Sequence, residues 1–149
     1  MKTNYNLPCN IAQTLNIIGD KWTLLILRQL MQGHDTFKEI LDNLEGIPSN
    51  LLSNRLKSLE SDNLIVSELY QPHPPRYRYI LTKSGEDLSD VFNSIILWGE
   101  KNLQKCYKQL THSDCGNKIE LQYYCPTCNR KVDRNEISVS GNNNKTAPN

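Results

Sequence analysis

The stretch Gly46-Ile47-Pro48-Ser49, with leucines following at positions 52, 56 and 59, constrains the fold of this chain more than any other part of it. Leucines at i, i+4 and i+7 line one side of a helix. A glycine and a proline just ahead of that helix force a tight turn from whatever precedes it, and Ser49 can cap it. With Leu52, Leu56 and Leu59 turned inward, the opposite arc carries Asn50, Asn54, Lys57 and Ser61, with Ser53 at its edge. No Asp or Glu occurs between Gly46 and Leu59, whereas Arg55 and Lys57 do. The spacing therefore predicts a helix beginning at Ser49 that buries one side and offers amides, hydroxyls and positive charge on the other.

The flanking segments read as a small helical domain. A first helix is expected over 9–18, with Ile11, Leu15 and Ile18 at helical spacing and Gly19 at its end. A second, over 21–32 behind an Asp20 cap, has Trp22, Leu25, Ile26 and Leu30 on one side and Leu24, Leu27 and Met31 beside them, so it should be central and buried. Thr36 can cap a short third helix carrying Phe37, Ile40, Leu41 and Leu44. After 49–62, apolar and β-favouring residues over 64–70 and alternation over 76–81 predict a β-hairpin, stiffened at its tip by three prolines over 71–75. A long final helix is expected from Thr82 or Ser84 to about residue 110, with Glu86, Asp87 and Asp90 at its positive end and Leu88, Phe92, Ile95, Gly99, Leu103 and Cys106 along one face. That face is longer than a small domain covers from within, so it is expected to meet a second copy's helix and the first helix. The fold class is mainly α with a small β-hairpin (α+β), in the order of a winged helix-turn-helix. Residues 1–111 form this domain, 112–132 a Cys- and His-rich segment, and 133–149 a polar tail expected to be disordered.

A helix with that outer arc can enter a major groove, where Asn suits the edge of adenine, Lys suits guanine or a phosphate, and Ser suits either. The candidate DNA contacts on it are Ser49, Asn50, Ser53, Asn54, Arg55 and Lys57. On the hairpin they are Arg76 and Arg78, in a span from Leu69 to Gly85 that also lacks acids. The formal net charge is only +1, so the basicity that nucleic acid requires is local and not global. Other classes lose ground. No apolar run approaches the roughly 20 residues of a membrane span, and residues 1–8 hold no apolar stretch of a secretory signal. The chain is expected to be cytoplasmic, without a membrane partner. No glycine-rich phosphate loop precedes a helix, and His34 and His73 stand in turn segments without sequence partners, so no enzyme is expected. A winged-helix module that binds protein instead of DNA is the alternative.

Taken together, Pro8-Cys9 opening a helix, Gly19-Asp20-Lys21-Trp22 before Thr23 to Arg28, Phe37 with Glu39-Ile40, Gly46-Ile47-Pro48 leading into Leu52 to Glu60, and Pro74-Pro75-Arg76 before Tyr79 to Thr82 and Gly85 resemble the HxlR-type bacterial transcriptional regulators. These are relatives of the MarR winged-helix regulators. The resemblance covers about Cys9 to Gly99. It implies a homodimer that reads an operator of two half-sites, with the recognition helix on 49–62 and the wing on 64–81. Two recognition helices one turn of DNA apart, on the order of 34 Å, also supply contacts that one alone does not. Where many relatives have a second glycine, this chain has Asp20, which can cap a helix.

The five cysteines of a chain without an export signal point to metal binding or a reactive thiol, not to a disulfide scaffold. Cys9 opens the first helix, where unpaired amides and the dipole favour a thiolate. A cysteine at this place senses oxidants or electrophiles in several HxlR-type proteins; a small residue near the dimer seam is the other reading. Farther on, His112-x2-Cys115 and Cys125-Pro126-Thr127-Cys128 have the spacing of two zinc knuckles, with Ile119, Leu121 and Tyr123 alternating as a short strand between them. Zinc held by His112, Cys115, Cys125 and Cys128 in a ribbon-like appendage, a redox pair at the CxxC, and no role at all are the three readings of this segment.

Overall fold

A computed structural model describes residues 4–141. Of the tail expected over 133–149, residues 142–149 lie outside the described residues, while Arg134–Glu136 is ordered into a 3₁₀ turn against the expectation of disorder. The chain divides into two compact units, one up to Ile95 and one from Ile96. This division falls earlier than the expected boundary at 111.

In the first unit, α1 (Asn10–Ile18), α2 (Thr23–Met31), α3 (Phe37–Asn43) and α4 (Ser49–Ser61) precede the hairpin of β1 (Ile65–Gln71) and β2 (Arg76–Leu81). Two helices follow, α5 (Lys83–Asp87) and α6 (Ser89–Asn102). The core follows the helical spacing in α2, α3 and α4: Ile26 and Leu27, Ile40, and Leu52, Leu56 and Leu59 are all at most 2% exposed, as is Ile65 of β1, whereas Leu25, expected inward on α2, is 43% exposed. Each fully buried aliphatic side chain contributes roughly 1.5–3 kcal/mol of transfer free energy. α3 begins with the capping arrangement read from Thr36: its hydroxyl accepts from the Glu39 amide (3.3 Å), and the Glu39 carboxylate accepts from the Thr36 amide (3.1 Å). The turn between α3 and α4 passes through Gly46 at φ +88°, a left-handed conformation that costs glycine nothing.

Several boundaries differ from expectation. Asp20, the expected N-cap, accepts the Trp22 and Thr23 amides in the turn ahead of α2, but the helix begins only at Thr23 and its N-cap position is Trp22, without a side-chain cap bond. Pro48, and not Ser49, is the N-cap of α4, because the Pro48 carbonyl already accepts the Leu52 amide (3.0 Å). The hairpin gains a third, minimal strand that local sequence did not reveal: Thr36 bridges Arg78, and the Tyr79 amide donates to the Asp35 carbonyl (2.8 Å). The long final helix breaks at Leu88 into α5 and α6 and stops at Asn102, whose side-chain amide donates to the Trp98 carbonyl (2.8 Å). Such back-bonding competes with continued helix, and it leaves Cys106 off the helical face on which spacing had placed it.

In the second unit, β3 (Tyr123–Cys125) and β4 (Arg130–Val132) form a small antiparallel hairpin, followed by a single 3₁₀ turn over Arg134–Glu136. The strand expected through Ile119 and Leu121 is confined to β3. A separate turn closes over His112 and Gly116, with Gly116 at φ +70°. Among the described residues no helix is long and apolar enough to cross a membrane.

Candidate nucleic-acid interface

The inner face of α4 is fixed by Leu52, Leu56 and Leu59, at 0%, 2% and 1% exposure. Helix geometry then decides what the other face presents. Ser49, Asn50, Asn54, Lys57 and Ser61 are exposed, and Ser53 is half-buried at the edge. Asn50 turns its carbonyl oxygen to the Leu51 amide (2.9 Å), and the Ser58 hydroxyl donates to the Asn54 carbonyl (3.1 Å). Neither the Asn54 side-chain amide nor the Lys57 ammonium makes a hydrogen bond or ion pair among the described residues, so both remain available to an external ligand. The helix lacks acids until Glu60, whose carboxylate turns away to accept from the amide and hydroxyl of Ser67 on β1 (3.1 and 2.7 Å).

Arg55 is a correction to the expected set. Its side chain is 24% exposed, and its Nε lies 3.2 Å from the Asp20 carboxylate. The reason lies in the helical register: residue 55 is i+3 from Leu52 and i−4 from Leu59, on the flank of the buried stripe. Asp20 is itself held by the turn into α2. It accepts from the amides of Trp22 (3.0 Å) and Thr23 (3.1 Å) and from the hydroxyl of Thr23, which is buried. Burial of Asp20 opposes its charge, but the Thr23 hydroxyl, the Trp22 amide and the Arg55 guanidinium outweigh burial and hold its pKa below the ordinary value. Arg55 thus ties α4 to the α1–α2 turn instead of facing outward.

Arg78 departs in the same manner. Its guanidinium lies 3.0 Å from the Asp35 carboxylate and 5.6 Å from the Tyr70 ring centre, so the wing's own chain engages it. The acid that neutralises it comes from the third-strand segment at residue 35, far from the acid-free hairpin, which is why local charge counting missed the pair. Arg76 is different: it stands exposed opposite Gln71 at the tip of the hairpin. The side chains left for an external contact are therefore Ser49, Asn50, Ser53, Asn54, Lys57 and Arg76.

Cys9 is the N-cap of α1, exposed and in extended backbone (φ −138°, ψ 127°), with no side-chain cap bond. In the second unit the four proposed zinc ligands are brought together only two by two. His112 Nδ1 lies 3.3 Å from Cys115 Sγ, and Cys125 and Cys128 share a side-chain hydrogen bond across their turn. No group of three or more His, Cys, Asp and Glu suited to a metal ion forms among the described residues.

The model of the HxlR-like helix-turn-helix family matches residues 17–107. An uncharacterised HTH-type transcriptional regulator of Mycobacterium bovis is 30% identical over 132 residues, covering 87% of this chain and 83% of the relative. Among solved structures, PA1607, described as a candidate transcription factor, superimposes with a TM-score of 0.77 at 26% identity, over 92% of this chain and 97% of that one. The redox regulator HypR in its reduced form gives a TM-score of 0.60 at 29% identity, over 64% of this chain and 95% of HypR.

Proposed function

We propose, from the premise that the chain belongs to the HxlR-like helix-turn-helix family of transcriptional regulators, that it acts as a homodimer on a palindromic DNA operator. In this reading α4 lies in the major groove and the wing tip lies against the backbone beside it. The observation that carries the reading is the two-sidedness of α4: three leucines almost fully buried, and an acid-free outer arc of Ser49, Asn50, Asn54 and Lys57 on which the Asn54 amide and the Lys57 ammonium have no partner among the described residues. Asn54 and Lys57 read base edges, and Arg76 contacts phosphate.

Dimerisation is supported by apolar surface that the first unit leaves open. Ile11 of α1 is 71% exposed, and Ile95 of α6 is 50% exposed. Apolar side chains at helical spacing on an amphipathic helix are ordinarily covered, and a second copy offers the same faces in return. Cys9, exposed at the first turn of α1, is the thiol we assign to an oxidant response, consistent with the likeness to HypR, which has been solved in both reduced and oxidised forms.

The test is an electrophoretic shift with DNA from upstream of the protein's own gene, titrated with salt. A specific shift that weakens steeply with salt supports the reading, since phosphate contacts release counterions. Loss of that shift on oxidation in the native chain, but not in Cys9→Ser, supports the sensing role. No shift on any duplex overturns the DNA reading and favours the protein-interaction module.

A further inference from the structure

The Cys125-Pro126-Thr127-Cys128 turn of the second unit has no part in the DNA-reading surface, and its chemistry is distinct from that of Cys9. Cys125 ends β3 and pairs across the hairpin with Arg130, the first residue of β4. Between them the chain reverses through Asn129 at φ +52°. This closure folds Cys128 back so that its thiol reaches the Cys125 sulfur, while the amides of Cys128 and Thr127 also point at that sulfur. Cys125 is half-buried and Cys128 is exposed. The other described thiols are placed otherwise: Cys115 lies against His112, Cys106 Sγ lies 3.5 Å from the Lys108 carbonyl, and Cys9 stands at the start of α1. Tetrahedral zinc needs four ligands, and among the described residues no third His, Cys, Asp or Glu joins this pair.

We propose that Cys125 and Cys128 are a reversible dithiol, closed to an intrachain disulfide by exchange with a low-molecular-weight disulfide. The geometry assigns the steps. The Cys125 thiolate attacks one sulfur of the small disulfide, forming a mixed disulfide and expelling one thiolate. Cys128, losing its proton to water, then attacks the Cys125 sulfur, closing the intrachain bond and expelling the second thiolate. The small disulfide is reduced to two thiols, and the two protein thiols are oxidised by the same two electrons. The contacts favour Cys125 as the attacking sulfur. The Cys128 amide and thiol and the Thr127 amide bond to it, and the Arg130 side of the hairpin lies beside it.

The test uses the full chain in a Cys9→Ser background, purified under reducing conditions, freed of reductant without air, and assayed first for zinc. Glutathione disulfide is then added, free thiols are alkylated, and trypsin releases the peptide between Lys118 and Arg130, which holds both cysteines and excludes Cys115. The expected result is that this peptide loses two hydrogens, takes up no alkyl group, and regains both alkylation sites after dithiothreitol. In Cys128→Ser the same peptide should stop at the glutathione adduct on Cys125. Full alkylation of both cysteines after oxidant overturns the proposal, as does zinc at one ion per chain with both thiols shielded before any oxidant is added. The readout involves no DNA, so its failure leaves the operator reading intact, and failure of the shift assay leaves this one intact.

Discussion

Replacing Asp20 tests whether the α1–α2 turn holds the recognition helix in place. The carboxylate is 12% exposed and meets three donors from the start of α2 as well as the Arg55 guanidinium. Asp20→Ala removes the acceptor of the Trp22 and Thr23 amides at the entry to α2, a loss comparable to that of a cap, about 1 kcal/mol. It also leaves the Thr23 hydroxyl, which is 2% exposed, without its acceptor, at about 1–3 kcal/mol. Arg55 is a quarter exposed and recovers part of its solvation, so losing the ion pair adds about 1 kcal/mol, well short of the loss for a fully buried pair. The sum is about 3–5 kcal/mol, or a fall in Tm of roughly 6–20 °C at about 2–4 °C per kcal/mol for a chain of this size. Asp20→Asn keeps an acceptor for the cap and loses mainly the charge, so it should lie between the alanine variant and the native chain. The pH dependence separates charge from capping. Because the folded-state pKa of Asp20 is depressed, its ionic contribution is fully present above the unfolded carboxylate value of about 4 and is lost as pH falls through the lower folded value. The gap in Tm between native and Asp20→Asn should therefore hold from neutral pH to about 4 and narrow below it. Circular dichroism melts across that range supply the check. An alanine variant melting within a degree of the native chain, or a gap indifferent to acid, would refute the coupling of Asp20 to Arg55.

Other expectations concern the surface and the turn. Asn54→Ala and Lys57→Ala should each weaken operator binding by about 1–3 kcal/mol while sparing random DNA, whereas Arg76→Ala should weaken both evenly; paired titrations on cognate and scrambled duplexes separate these, and equal losses would remove the base-reading role. Ile95→Asp places a charge on an apolar side chain that is 50% exposed in the single chain, so sedimentation should find the proposed dimer in the native protein and monomers in the variant, with the fold retained. Gly46→Ala meets no atom within 4 Å of the added methyl, so its loss, about 1–2 kcal/mol, comes only from holding φ +88°; a denaturant midpoint unchanged from the native value would contradict that origin.

What could be read before any coordinates was what repeats along one element. Leucines spaced at i, i+4 and i+7 in α4, alternation in β2 and the Thr36 cap are local patterns, and the structure reproduces them, adding Glu39 as the reciprocal acceptor. Pairing between distant segments was not legible in the same way. Asp35 comes to Arg78 only because the segment before α3 joins the edge of β2, and Asp20 comes to Arg55 only because the α1–α2 turn packs under α4. A hint was available for Arg55 in its i+3 and i−4 relation to Leu52 and Leu59; for Arg78 there was none. Tertiary packing also sets a residue that local spacing did not: Gly85, inside α5, is buried, and a methyl there would meet the Leu64 carbonyl at 2.2 Å. The chain therefore holds a glycine within a helix, at about 1 kcal/mol relative to alanine.

The two internal ion pairs set how steeply DNA binding should depend on salt. The sequence supplies four basic residues to the recognition helix and wing, namely Arg55, Lys57, Arg76 and Arg78, but Asp20 and Asp35 neutralise two of them. Lys57, assigned to a base edge, and Arg76 remain; with Arg76 alone on phosphate a symmetric pair neutralises about two phosphates, which gives a slope of log K against log salt of about −1.8. Had Arg55 and Arg78 also been free to meet phosphate, the slope would approach about −5.4. Affinity measured across a salt series therefore counts uncommitted cations directly. A slope near the steeper value would mean that Arg55 and Arg78 leave their carboxylates on binding, and Asp20→Asn should then leave the slope unchanged. A slope near the shallower value, made steeper in Asp20→Asn as Arg55 is released, would show that these acids hold the interface's charge in check and leave more of the discrimination to Asn50, Asn54 and the serines.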